Sequence, residues 1–341
     1  MTADAEHFGR APDGRPVQRV RIQGGGLHAS ILTWGAVIQD LRMDGHRPPL
    51  VLGFETFEDY PGHSPYFGAV AGRCANRIRD GRFVIDGRIY QADTNFLGKH
   101  TLHGGANGIG KRVWTIAGQG ADFVTLTLRD GDGEMGFPGN LDITCTYRLK
   151  PDGVLSVEMD AVTDSPTLCN LAHHSYFNLD DGGAGDALDH HLEIDAAAYL
   201  PVDDELIPTG DVVPVEGTGF DFRRSRPIRH ETGGKPMGYD HNWCLAAASR
   251  SCRRVALLRG ARSSVAMQVW TTEPGVQFYA GHKVAREVPG LEGRRYGAFA
   301  GICLEPQIWP DSPNHPYFRQ AVLRPGETYR QVTEYRFGKT L

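Results

Sequence analysis

The sequence predicts an all-β fold, a sandwich or a barrel, and three observations carry that prediction. Forty-three glycines and 21 prolines punctuate 341 residues with turns. Between the turns, apolar residues alternate with polar ones at the two-residue period of a half-buried strand. No window of 15 residues holds an i, i+3, i+4, i+7 apolar stripe. Taken in order, Phe83 and Ile85 face Ile89 and Tyr90 across Asp86-Gly87, a two-residue hairpin signal. Phe123, Val124, Leu126 and Leu128 make a strand that ends at the loop Asp130-Gly131-Asp132-Gly133. Ile143, Cys145, Tyr147 and Leu149 alternate strictly, Pro151-Asp152-Gly153 turns the chain, and Leu155, Val157, Met159 and Ala161 alternate again. Val265, Met267 and Val269 repeat the pattern, and Tyr329 to Phe337 reads as a closing strand.

No composition shift marks a linker and no short repeat is present. All-β folds extend beyond 200 residues as one unit, so residues 1–341 are expected to form one domain, with residues 1–15 a loosely ordered N-terminus. The hydrophobic fraction of 40% and charged fraction of 23% are those of a globular protein that can bury a substantial core. A net charge of −5 without a basic run argues against nucleic acid, whose phosphates demand a positive footprint. No apolar stretch approaches the roughly 20 residues of a membrane span. The polar start Met1 to Arg10 has no apolar h-region, so a cytoplasmic location is expected. Six scattered cysteines without a CxxC pair are expected to be reduced thiols. Oligomeric state is not legible.

The chemistry-bearing residues gather in five segments. Gly72-Arg73-Cys74-Ala75-Asn76-Arg77-Ile78 and Leu102-His103-Gly104-Gly105 come first. Asn170-Leu171-Ala172-His173-His174-Ser175-Tyr176-Phe177-Asn178-Leu179 follows, then Gly238-Tyr239-Asp240-His241-Asn242 and Leu304-Glu305-Pro306-Gln307. Glu305 sits in an apolar run that ends at a proline, where a glutamate is costly unless paired or functional. Burial there would raise its pKa from about 4.3 and make it a better base near neutral pH. His173 and His174 are adjacent, so on a strand only one of them faces a given cleft. Read singly, each residue has a plain alternative: a solvated strand-end carboxylate, a structural histidine, a surface arginine.

In their order these segments resemble the aldose 1-epimerase (galactose mutarotase) family, over about Ile31 to Phe337. The resemblance implies a large antiparallel β-sandwich with a sugar cleft on one face. It implies Glu305 as base, His174 as acid, and His103 beside the ring oxygen as a contact and catalytic aid. It implies Asn76, Arg77, Asp240 and Gln277 as holders of the remaining hydroxyls, with Tyr176 at the same wall and His173 structural. Ala172, His173, Ile109 and His282 depart from residues common in the family, and His282 bears on the cleft rim.

The implied reaction interconverts the α and β anomers of a free aldose. Opening the hemiacetal removes a proton from the C1 hydroxyl and gives one to the ring oxygen. Glu305 ionised and His174 protonated would do both. No cofactor and no metal is expected. The pairs His173-His174 and His190-His191, with Asp240 and His241, lack the HxxxH or CxxC spacing of zinc ligands. Other readings stay open. Glu305 and Asp240 could be a glycosidase pair. A hexose-6-phosphate 1-epimerase would need cations at the phosphate, for which Arg77 and Lys111-Arg112 are the candidates. A non-catalytic sugar-binding protein would be expected to lack Glu305 or His174.

Overall fold

The two most strictly alternating runs become adjacent strands, and the reason is visible in their faces. In Leu141–Lys150 the residues Leu141, Ile143, Cys145, Tyr147 and Leu149 are buried. In Val154–Thr163 the residues Leu155, Val157, Met159 and Ala161 are buried. Antiparallel pairing aligns Ile143 with Ala161 and Tyr147 with Val157, which puts both apolar sets on one face. Each fully buried aliphatic side chain contributes roughly 1.5–3 kcal/mol. The computed structural model describes residues 5–64 and 66–339.

These strands belong to a nine-stranded antiparallel sheet. Its order runs Thr115–Gln119, Phe123–Asp130, Leu141–Lys150, Val154–Thr163, Tyr329–Lys339, Val265–Thr271, Arg253–Arg259, His191–Ile194 and Arg226–Pro227. The closing strand Tyr329–Lys339 therefore sits mid-sheet and pairs on both sides. A five-stranded sheet runs Val213–Pro214, Ala198–Leu200, Asp240–Cys244, Gly275–Tyr279 and Cys303–Gln307. A four-stranded meander covers Ala5–Arg10, Pro16–Gly24, Leu27–Leu32 and Ile38–Met43. One apolar cluster joins the layers: Val157, Met267 and Tyr335 of the large sheet meet Trp243, Phe278 and Leu304 of the five-stranded sheet and Val20 and Ile22 of the meander. The expected antiparallel β-sandwich is the observed architecture.

The hairpin Arg82–Ile85 with Arg88–Gln91 turns at Asp86-Gly87 as expected, with both turn residues at positive φ. The N-terminus differs from expectation. Residues 1–4 lie outside the described residues, but Ala5–Arg10 pairs with Pro16–Gly24, and Glu6 bonds the Arg19 guanidinium, so the stretch is sheet rather than loose chain. Among the described residues the single α-helix, Asp59–His63, has five residues, and no helix is long and apolar enough to cross a membrane.

Candidate active site

The five-stranded sheet places four polar residues on one face by register alone. Asn242 pairs with Gln277, and Gln277 with Glu305. Asp240 lies two residues before Asn242, hence on the same face. The opposite face carries Trp243, Val276, Phe278 and Leu304 into the core. Cys303–Gln307 is the edge strand of this sheet, where Pro306 removes no ladder bond that a neighbour needs. The large sheet holds the backbone on either side of Glu305. Tyr335 donates its hydroxyl to the Leu304 carbonyl at 3.2 Å, and the Gln331 amide donates to the Pro306 carbonyl at 2.7 Å.

Ala172–His174 pairs with Ala69–Ala71, and its two histidines diverge as a strand requires. His173 turns into the core, between the Tyr147 hydroxyl at 3.3 Å and Ser175 Oγ at 2.7 Å. His174 turns into the cleft. Its Nε2 lies 3.5 Å from Glu305 Oε2, and its Nδ1 lies 3.5 Å from Cys303 Sγ. Tyr176 stacks on the His174 ring at 5.1 Å, and the Tyr66 ring stacks at 5.9 Å.

Asn76 and His103 interlock. The His103 N–H donates to the Asn76 carbonyl at 2.9 Å, and the Asn76 N–H donates to His103 Nδ1 at 3.2 Å. Since Nδ1 accepts, a neutral His103 carries its proton on Nε2. Both residues sit at positive φ, 61° and 50°, a conformation that costs a non-glycine residue energy and collects at functional sites. Gly104 follows because a Cβ there would stand 2.1 Å from the Gly72 carbonyl oxygen. Arg77 donates to Asp240 Oδ2 at 3.1 Å, and the Gln277 amide donates to Asp240 Oδ1 at 2.7 Å.

Asn76, Arg77, His103, His174, Tyr176, Asp240, Gln277 and Glu305 all line one cleft of about 230 Å³. That is below the ~300–1,000 Å³ of pockets for drug-sized ligands, and suits a single small ring. Every residue expected at the site is there. Tyr66, Phe96, Leu102, Tyr279, Lys283 and Arg286 complete the wall, and none of them is among the site residues expected from the sequence. Only the neighbourhood of His282 hinted at the last two. Three buried polar atoms of the wall, Arg77 Nε, Gln277 Oε1 and Glu305 Oε2, have no hydrogen-bond partner among the described residues.

The electrostatics invert the expected proton positions. Burial, reinforced by the Asp240 charge, pushes the Glu305 carboxyl well above the ordinary carboxylate range, against the opposing pull of Arg77. Burial lowers His174 to about 4, although its own backbone carbonyl and Asp240 favour the imidazolium. Burial thus works against both charges of the expected form, an ionised glutamate beside a protonated histidine. Burial also keeps His103 neutral, with the neighbouring His174 and Arg77 acting in the same direction. Asp240 is the opposite case: burial works against its charge, but Arg77 and Gln277 outweigh it and hold the carboxyl low. With both oxygens so engaged, Asp240 is poorly placed to act as a second glycosidase carboxylate.

His190 is remote from the cleft, where it accepts a bond from the Leu179 N–H. Among the described residues the donors that converge are His174, Cys303 and Glu305, whose ligand atoms lie within 4.8 Å of one another.

Residues 18–336 match the family model described as aldose 1-epimerase, and the chain belongs to that family. It is 41% identical to a galactose mutarotase of Rattus norvegicus over 337 residues, 97% of each chain. It is 37% identical to an aldose 1-epimerase of Escherichia coli K12 over 338 residues, 96% of this chain and 97% of that one. Among solved structures, an aldose epimerase homologue from C. elegans superposes with a TM-score of 0.89 at 30% identity, covering 95% of this chain and 100% of the other.

Proposed function

We propose that Glu305 and His174 open and close the ring of a monosaccharide in this cleft. The activity is that of an aldose 1-epimerase, an isomerase that interconverts α and β anomers. The observation that carries the residue assignment is the 3.5 Å approach of His174 Nε2 to Glu305 Oε2 in the cleft wall.

In the productive form Glu305 is ionised and His174 carries a proton. Glu305 takes the C1 hydroxyl proton, the O–H electrons form the C1 carbonyl, the bond from C1 to the ring oxygen breaks, and His174 protonates that oxygen. The open aldehyde turns about C1–C2. On reclosure the chain hydroxyl attacks the other face of C1, gives its proton back to His174, and the new anomeric oxygen takes the proton held by Glu305. Asp240, Arg77, Gln277 and Asn76 hold the remaining hydroxyls still while C1 turns. His103 donates from Nε2 near the ring oxygen, and Tyr176 fixes the His174 ring by stacking. The wall draws residues from Tyr66 to Glu305, so we read the chain as one functional domain. Six unpaired cysteines suit a reducing compartment such as the cytoplasm.

Polarimetry of freshly dissolved α-anomers of glucose, galactose, xylose and arabinose tests this. The protein is expected to speed the drift to equilibrium for at least one of them. Uncatalysed drift for every aldose would overturn the assignment.

A further inference from the structure

Cys303 and Glu305 lie two residues apart on the edge strand Cys303–Gln307, so their side chains share a face. Between them they meet both nitrogens of the His174 ring. Cys303 Sγ lies 3.5 Å from Nδ1, and Glu305 Oε2 lies 3.5 Å from Nε2. All three side chains are buried. Glu305 Oε2 has no hydrogen-bond partner among the described residues, which leaves it open to exchange with Nε2. Tyr176 and Tyr66 stack on the ring and hold its plane.

The two contacts are coupled, because a neutral imidazole has one N–H and one bare nitrogen. Burial favours the uncharged forms, a protonated Glu305 and a neutral His174. The productive form arises when the Glu305 proton passes to His174 and leaves a carboxylate beside an imidazolium. Nε2 is the nitrogen that faces Glu305. It must therefore be the bare one, and the resting ring proton must sit on Nδ1. In the other tautomer Nε2 already carries a proton, and the bare Nδ1 faces a thiol instead of the carboxyl. The Glu305 proton then has no nitrogen to go to.

Which nitrogen of a histidine is protonated is set by the bond that the other one makes, here by what Nδ1 meets. It meets a sulfur that can accept a hydrogen bond. Burial, with the Glu305 and Asp240 charges adding to it, keeps the Cys303 thiol protonated, so it serves as neither nucleophile nor base. The Tyr176 hydroxyl hydrogen-bonds the same sulfur and gives the thiol proton a partner of its own. The His174 carbonyl also favours a proton on the ring, but it is shared with the Gly68 N–H at 3.0 Å. Resting on the proton-transfer reading of Glu305 and His174, we propose that Cys303 is a positioning residue: its sulfur accepts the His174 Nδ1–H and fixes the tautomer whose Nε2 can take the Glu305 proton.

Nitrogen NMR of the histidine rings, combined with polarimetric kinetics, tests this. His174 is assigned by the loss of its ring signals in His174→Asn. The parent protein is expected to show a protonated Nδ1 and a bare Nε2 near neutral pH. Cys303→Ala removes the acceptor. The Nε2–H tautomer should then gain about fivefold over Nδ1–H, and kcat should fall about five- to tenfold with KM little changed, the scale of one hydrogen bond. Cys303→Ser puts a hydroxyl acceptor back and should restore both the tautomer and kcat to within about threefold. A parent His174 protonated on Nε2 overturns the proposal. So does a Cys303→Ala variant whose tautomer is unchanged, whatever its kcat, because a loss without a tautomer shift is a packing effect. If no aldose is turned over, the epimerase reading fails separately. The ring spectra of the parent and Cys303→Ala still show whether the sulfur holds Nδ1–H: a shift between them keeps that contact, and identical spectra remove it.

Discussion

His174 and Glu305 stand 3.5 Å apart, yet they come from different strand systems. His174 ends a three-residue strand paired with Ala69–Ala71, while Glu305 is central in the edge strand of the five-stranded sheet. Their separation is set by the packing between layers rather than by either strand.

Glu305→Gln keeps the shape of the side chain and removes the base. The expected loss in kcat is at least about a hundredfold, the scale of general-base catalysis, with KM little changed because the amide still hydrogen-bonds. Polarimetry on one good substrate measures both. Near-normal turnover would remove Glu305 from the mechanism.

His174→Asn and His173→Asn separate two neighbours that face opposite ways. The first should cut kcat by about a hundredfold or more. The second should leave kcat near normal and lower the melting temperature instead, because Tyr147 and Ser175 lose a buried partner. A larger kcat loss in His173→Asn would mean that the wrong histidine has been placed at the ring.

The pH profile should report the inverted pair. One proton shared between Glu305 and His174 is the working condition, and it is lost in two directions. Below about 4 the pair takes a second proton on His174; above the raised pKa of Glu305 it loses the first. The rate should therefore rise through an acid limb near 4 and fall through an alkaline limb that belongs to Glu305, both values being macroscopic properties of the pair. An acid limb near about 6.5, the ordinary histidine value, would contradict the burial argument.

Prolonged dialysis against a chelator should leave activity intact, since the proposed proton transfers use side chains alone. Loss of activity restored by zinc would instead make His174, Cys303 and Glu305 ligands.

Glu273 lies outside the cleft and offers a stability test. It is buried, with Oε2 unpartnered, and burial raises its pKa to about 7. A carboxyl with a raised folded pKa contributes its full share below the unfolded value, and that share is lost as the pH climbs through the folded one. Glu273→Gln should therefore be more stable than the parent at about pH 8, by about 1–3 kcal/mol, and show no advantage near pH 4.5. Urea unfolding at the two pH values measures this, and equal stability at both would refute it.

The large sheet was legible because each of its long strands has one buried and one exposed face, as in Leu141–Lys150. Cys303–Gln307 has no such contrast: all five residues are buried, so its period is silent. Its identity rested on the resemblance carried by Leu304-Glu305-Pro306-Gln307. The same holds for Asp240 and Gln277, which share a face with Glu305 only through the register of strands far apart in sequence. Tyr66, Tyr279, Lys283 and Arg286 belong to no motif and enter the cleft through loop placement and strand pairing. The order of proton affinities was out of reach for another reason. It depends on how completely each group is buried, and His174 and Glu305 are both nearly inaccessible.

The mid-sheet position of Tyr329–Lys339 has a bearing on when the protein can work. This strand alone bridges Val154–Thr163 and Val265–Thr271, and its Tyr335 and Gln331 brace the carbonyls beside Glu305. During synthesis every cleft residue leaves the ribosome before it, yet the large sheet remains in two halves and the catalytic strand lacks its backing. The backing of Glu305 thus depends on a strand that follows every residue of the cleft in the sequence.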